Sequence, residues 1–150
     1  MSLPIRRSRL SAGLIGALAL LGGCSQPPPA QPAGTAPANA SASVDADMAT
    51  CSELGGETAP RVTACTSVIQ SNAATTETRS RALNNRGVLF SGQGDSDHAI
   101  ADFDEAIRIN PPYAAAFYNR AQAWRRKGDT TRADADSAQA VRLDPNLAGR

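Results

Sequence analysis

The chain contains a near copy of part of itself. Shifted by 34 residues, Ser80–Pro111 falls on Ala114–Pro145, and eleven of the 32 facing pairs are identical. The repeated positions include Ala82/Ala116, Asn85/Asn119, Arg86/Arg120, Gly94/Gly128, Asp95/Asp129, Ala99/Ala133, Ala106/Ala140 and Pro111/Pro145. A repeat of this size is one supersecondary unit that cannot bury its apolar face alone, so neighbouring copies must stack. The folded part of the chain is thereby restricted to a one-dimensional array in which each unit touches only its neighbours.

Each copy reads as two helices. Gly94-Asp95 and Gly128-Asp129 end the first helix, with glycine suited to a left-handed C-terminal cap. Ser96 and Thr130 then suit the N-cap of the second. Pro111 and Pro145 stop it. Small residues mark the helix crossing, Gly87 against Ala99 and Ala121 against Ala133, and Ala106 and Ala140 let the following helix approach. Large residues fill the space beside the crossing: Leu83, Phe90 and Phe103 in one copy, Phe117 and Trp124 in the next. One position departs from the pattern. Phe103 is matched by Ser137, which reads either as looser packing or as a surface covered by another helix or a partner.

These residues and the 34-residue period resemble the tetratricopeptide repeat family over 80–145. The resemblance implies an all-α fold, an α-solenoid of about two and a half to three helix-turn-helix repeats following a disordered linker. Repeats are expected at 80–113 and 114–147, with a tail at 148–150. Carrying the period backwards places Cys65 on Ala99 and Ile69 on Phe103, so 46–79 reads as a degenerate first repeat. Its first helix is expected at 46–54, ending at Gly55-Gly56, and its second at 61–72, with Pro60 in the first turn.

In this family the first helix of each pair lines a concave groove. Matched residue by residue, the groove falls on Arg81, Asn84, Asn85, Val88 and Ser91 in one unit, and on Ala115, Tyr118, Asn119, Gln122 and Arg125 in the next. The resemblance thus implies a polar, amide-rich, mildly basic peptide-binding surface. Asn85 and Asn119 are placed either to bond the backbone of an extended peptide or to bond the neighbouring turn. Tyr118 is of a type common at binding hot spots. The Lys, Asn and Arg set of the family's carboxylate-clamp version is present only in part. After Pro145 five residues remain, so the last apolar face, with Val141 and Leu143, lacks the polar capping helix that most arrays carry. Either a second subunit or partner covers that face, which would make the protein a homo-oligomer in the first case, or the end frays.

The beginning of the chain carries a different signal. Arg6, Arg7 and Arg9 precede an apolar run, Leu10–Leu21, that leads into Gly22-Gly23-Cys24. This is the order of a secretory signal. A run of about 12 residues is too short for a lasting membrane span, which needs about 20. The segment resembles the bacterial lipoprotein lipobox. That resemblance implies removal of 1–23 as a signal peptide and acylation of Cys24, with Ser25 directing the protein to the outer membrane, facing the periplasm. Two or more acyl chains, at about 0.8 kcal/mol per buried methylene, suffice for stable anchoring in the lipid bilayer. From Cys24 to residue 45 the composition is Pro-, Ala- and Ser-rich without aromatics, as expected of a disordered tether reaching roughly 60 Å. Removing 1–23 takes away three arginines, so 15 basic against 14 acidic residues becomes 12 against 14.

Cys51 and Cys65 remain as an even pair in an exported chain. They are expected either as a disulfide stapling the degenerate repeat, worth about 3 kcal/mol in the chain-entropy model, or as two buried thiols. His98 is expected near a helix start and exposed. Asp95, Asp97, Asp102, Asp104 and Glu105, and again Asp134 and Asp136, read as acidic helix starts favoured by the helix dipole. No metal-ligand spacing, cofactor motif, nucleophile elbow or phosphate loop is found, and no basic patch with interleaved aromatics points to nucleic acid. The expectation is a non-catalytic adaptor for protein or peptide partners in the cell envelope. The alternative is a self-associating structural envelope protein.

Overall fold

The computed structural model describes residues 38–149. Residues 1–23, Cys24 and the tether as far as residue 37 lie outside the described residues. The described residues form six α-helices: α1 (Ala38–Ser52), α2 (Thr58–Gln70), α3 (Thr76–Gly92), α4 (Ser96–Ile109), α5 (Ala114–Arg126) and α6 (Thr130–Leu143), with a 3-10 turn over Pro145–Leu147. Consecutive helices pair as hairpins, α1/α2, α3/α4 and α5/α6. Each hairpin then packs on the next through α2 on α3 and α4 on α5. The fold is an all-α solenoid of about three helix-turn-helix repeats.

The hairpin turns are built identically in the two near copies. Gly94 and Gly128 take φ of 84° and 83°, a conformation that side chains other than glycine adopt at a cost. The N–H of Asp95 donates to the Phe90 carbonyl and that of Asp129 to the Trp124 carbonyl, both at 3.0 Å. The glycine N–H groups donate to Ser91 and Arg125. This is the Schellman pattern, which satisfies the last carbonyls of the first helix. It also fixes the cap of the second helix. The N-caps are Asp95 and Asp129, whose carboxylates accept from the N–H of His98 at 3.1 Å and of Arg132 at 2.9 Å. Ser96 and Thr130, the expected caps, are instead the first helical residues, because the turn ends one residue earlier than composition indicated. The bonds from the His98 backbone and side chain hold the Asp95 carboxyl below its usual range.

Between the hairpins stands a repeated three-helix tie. Arg86 on α3 forks onto Asp102 of α4, with Nε at 2.9 Å and Nη2 at 2.7 Å, and its Nη1 donates to Thr66 of α2 at 2.9 Å. Arg120 on α5 forks onto Asp136 of α6 at 2.7 and 2.6 Å, and its Nη1 reaches Asp104 of α4 at 2.6 Å. Asp102 and Asp136 are only 6% and 7% exposed. They are therefore not part of a solvated acidic helix start, as sequence composition had indicated. The hydrogen bonds to them hold both guanidinium pKa values above the ordinary arginine range. A second repeated device shields one aromatic ring per unit. The His98 ring lies 5.4 Å from that of Phe90, and Arg132 lies 4.2 Å over Trp124, its equivalent.

The crossing inside α3/α4 differs from the expected contact of small residues. A methyl group on Gly87 would stand 2.6 Å from the ring of Phe103, which has no accessible surface. Glycine here makes room for that ring rather than for Ala99. In the next unit the same two positions are Ala121 and Ser137. The side-chain volume has moved across the crossing: the small serine stands where the ring would be, and Ala121 is fully buried. The Ser137 hydroxyl accepts from Arg125 at 2.8 Å.

The first hairpin corrects two boundaries. A tether to residue 45 and a first helix over 46–54 were expected, but α1 begins at Ala38 and ends at Ser52. Val44, Met48 and Cys51 stand at i, i+4 and i+7, one face of a helix. Val44 is 5% exposed and shares a core with Cys51, Cys65, Val68 and Leu89, against which Met48 packs. The alanines preceding them have the highest helix propensity, so the helix propagates back through them. The second helix, expected over 61–72, runs from Thr58 to Gln70, with Pro60 in its first turn, where the missing N–H is not needed. Cys51 and Cys65 are joined by a disulfide with Cα atoms 4.8 Å apart.

Two stability tests follow from this packing. Gly87→Ala gains about 1 kcal/mol of helix propensity and overpacks a ring that has nowhere to move, so chemical denaturation is expected to show a net loss of about 1–2 kcal/mol. A neutral or stabilising result would mean that the crossing is not filled by Phe103. Reduction of the Cys51–Cys65 bond is expected to lower unfolding stability by about 3 kcal/mol, with α1 the first segment to lose amide protection in hydrogen exchange.

Candidate functional site

The first helices of the three hairpins, α1, α3 and α5, lie side by side, and their shared face holds most of the residues expected to line a groove. A ladder of amides links them. Asn85 Nδ2 donates to Ser52 Oγ of α1 at 3.1 Å, and Asn119 Nδ2 donates to Asn84 Oδ1 at 2.9 Å. Asn84, expected at the groove surface, is 6% exposed and acts as the buried acceptor of that pair. The donor side of both repeated asparagines is thus spent on the neighbouring helix, while Asn119 keeps its carbonyl oxygen for another donor.

Beyond the ladder, residues of α3 and α5 line a recess of about 220 Å³. Val88, Ser91 and Gly92 form one wall, and Asn119, Gln122 and Arg126 the other. Phe103 closes it from below without accessible surface of its own. Val88 is 45% exposed, an aliphatic side chain offered to solvent at the rim. Arg126 closes one end. Its Nη1 donates to the Ser91 carbonyl at 3.2 Å and also contacts the Ser91 hydroxyl, so the guanidinium is held across the gap between the two helices. Gly92 is the repeat equivalent of Arg126, and a side chain there would meet nothing within 4 Å. Because one unit supplies a glycine where the other supplies the arginine, that end is left clear for the single Arg126 guanidinium that closes it.

The remaining expected groove residues lie elsewhere. Arg125 turns toward its own hairpin, onto Ser137 at 2.8 Å and Asp134 at 3.6 Å. Tyr118 and Ala115 are half-buried and line neither this recess nor the next. Arg81 belongs to a separate cleft with Thr76, Glu77, Asn110, Pro112 and Tyr113. Sequence matching missed Arg126, Gly92 and Phe103. The 34-residue offset pairing Gly92 with Arg126 was the available signal.

Chemically the recess offers amide donors and acceptors, one aliphatic contact and one fixed positive charge. Among the described residues, no group of three or more His, Cys, Asp or Glu is placed to hold a metal ion.

The amide ladder is directly testable. Asn119→Ala leaves the buried Asn84 carbonyl without its donor and is expected to cost about 1–2 kcal/mol. Asn85→Ala removes a bond to an exposed serine and is expected to cost under about 0.5 kcal/mol. Equal losses in thermal unfolding would contradict the ladder.

Residues 80–113 and, separately, residues 114–147 match the tetratricopeptide repeat, and these are the two units built from α3/α4 and α5/α6. No curated protein matches the chain. Repeats of this kind are in general non-catalytic scaffolds for protein–protein interaction. Residues 80–147 thus carry two tetratricopeptide repeats.

Proposed function

We propose that this protein is an exported, lipid-anchored adaptor that holds extended segments of protein partners in the recess between α3 and α5. The observation that carries the binding role is the convergence of Val88, Ser91, Asn119, Gln122 and Arg126 around one opening. Supporting the export is the disulfide, since such bonds persist in oxidising compartments and are rare in the cytosol. Supporting the anchor is the order of arginines, apolar run, glycines and Cys24. The diacylated cysteine attaches the protein to a bilayer, with Ser25 favouring the outer membrane and its periplasmic face. Among the described residues no helix is long and apolar enough to cross a membrane. Because α1 begins at Ala38, thirteen residues separate it from Cys24. Fully extended they would span at most roughly 47 Å, which bounds the distance between the bilayer and the repeats. A second reading, self-association through the last hairpin, rests on Leu143, which is 36% exposed.

Cell fractionation tests the anchor: Cys24→Ser is expected to move the protein from the membrane to the soluble fraction, and unchanged fractionation would remove the lipid from the account. Photo-crosslinking in intact cells tests the recess. A photoreactive residue at Gln122 is expected to capture a partner that one at exposed Ala138, on α6, does not. Capture of a second copy of this chain from both sites would favour self-association.

A further inference from the structure

Helix α3 is longer than its repeat. It begins at Thr76, whereas the matched repeat begins at 80, and α5 begins at Ala114, where the next match begins. The added turn is held from three sides. The Thr75 hydroxyl caps it, accepting from the Thr78 N–H at 3.1 Å. Arg79 donates to the Ile69 carbonyl at 3.0 Å and the Ser71 carbonyl at 2.8 Å, fastening it to the end of α2. Ser80, without accessible surface, donates to the Glu77 carbonyl at 2.9 Å and accepts from Asn110 Nδ2 at 3.1 Å, fastening it to the α4–α5 connection. The turn and the connection border an open cleft of about 500 Å³ lined by Thr76, Glu77, Arg81, Asn110, Pro112 and Tyr113. That volume is in the range of small-molecule sites. The second unit has no equivalent of the added turn.

The charges in this cleft are unspent. Glu77 and Arg81 stand at i and i+4, the spacing and order at which acid and base ordinarily pair on a helix. Yet neither takes part in any ion pair among the described residues. Arg81 and Tyr113 line the same cleft; burial pushes the Tyr113 phenol up, and the Arg81 charge pulls it partly back. A simple anion on Arg81 would face Glu77, and a simple cation on Glu77 would face Arg81. A ligand carrying both charges a few ångströms apart satisfies the two walls together.

We propose that this cleft binds a small zwitterionic dipeptide, with its carboxylate on Arg81, its ammonium on Glu77 and a side chain against Pro112 and the Tyr113 ring. The site stands apart from the recess at the other end of α3 and does not rest on the adaptor reading. Isothermal titration of L-alanyl-L-alanine into the detergent-solubilised full-length protein tests it. One-to-one saturable binding is expected, with the N-acetyl and C-amide forms of the dipeptide each bound at least tenfold more weakly. Glu77→Gln and Arg81→Gln, both at exposed positions, are each expected to weaken binding about tenfold, with the helical circular dichroism unchanged. Gln122→Ala, in the recess, is expected to leave binding as it is. Absence of binding at millimolar dipeptide, equal binding of the capped forms, or unchanged affinity in the Glu77 and Arg81 variants would overturn the proposal. So would loss of binding in Gln122→Ala alone, which would place the ligand in the recess.

Discussion

The stack depends on a buried fork between arginine and aspartate. Within each of the last two hairpins one arginine grips the aspartate of its partner helix through two parallel bonds, and its third nitrogen reaches back to the preceding hairpin. One side chain thereby fixes both the angle within a unit and the register between units. Bidentate charge-assisted bonds are among the stronger and more geometrically specific ones. Because both aspartates are nearly buried, losing either arginine would leave a charge without a partner, which is costly. An array of hairpins sharing only alanine contacts would have little to prevent one unit from sliding on the next. The polar tie supplies what flat, small-residue packing lacks.

Around this tie the two units solve the crossing differently. One places a glycine against a fully buried phenylalanine, and the other an alanine against a serine. The first makes a dense core, shared with Ala99, Ile100 and Ala123, and lends a floor to the recess. The second is lighter, and its serine is free to bond Arg125. That bond turns Arg125 away from the groove and leaves Arg126 as the groove's cation. A core substitution therefore decides which of two adjacent arginines lines the recess.

This coupling explains what the sequence could and could not reveal. Periodicity made the hairpins legible, since glycine, proline and alanine act through local backbone geometry and sit at fixed offsets. The groove residues were legible only as a face of a helix. Asn84 and Asn85 are neighbours on that face, yet one is a buried acceptor and the other a half-exposed donor, a difference set by helices an array position away. The identities at Arg86/Arg120 and Asp102/Asp136 were visible as repeated letters. Their pairing across 16 residues was not, because aspartates near a helix start have an adequate local explanation in the dipole. The start of α1 was hidden for the opposite reason. Val44 alone looks like a stray aliphatic in a polar tether, and becomes a core residue only once Met48 and Cys51 are seen on the same stripe.

The degenerate first hairpin lacks the arginine fork altogether, and the disulfide stands where that constraint is missing. Helix α1 is composed largely of alanine and serine and buries little beyond Val44, Met48 and Cys51. Helix propensity alone leaves a segment of fifteen residues marginal in water. A covalent link from its last turn to the middle of α2 removes most of the freedom it would otherwise regain on detaching. The same helix supplies Ser52 to the amide ladder. The ordering of the groove's first edge thus rests on a covalent bond that reducing conditions would break, so the N-terminal unit is the part of the array most sensitive to a reductant.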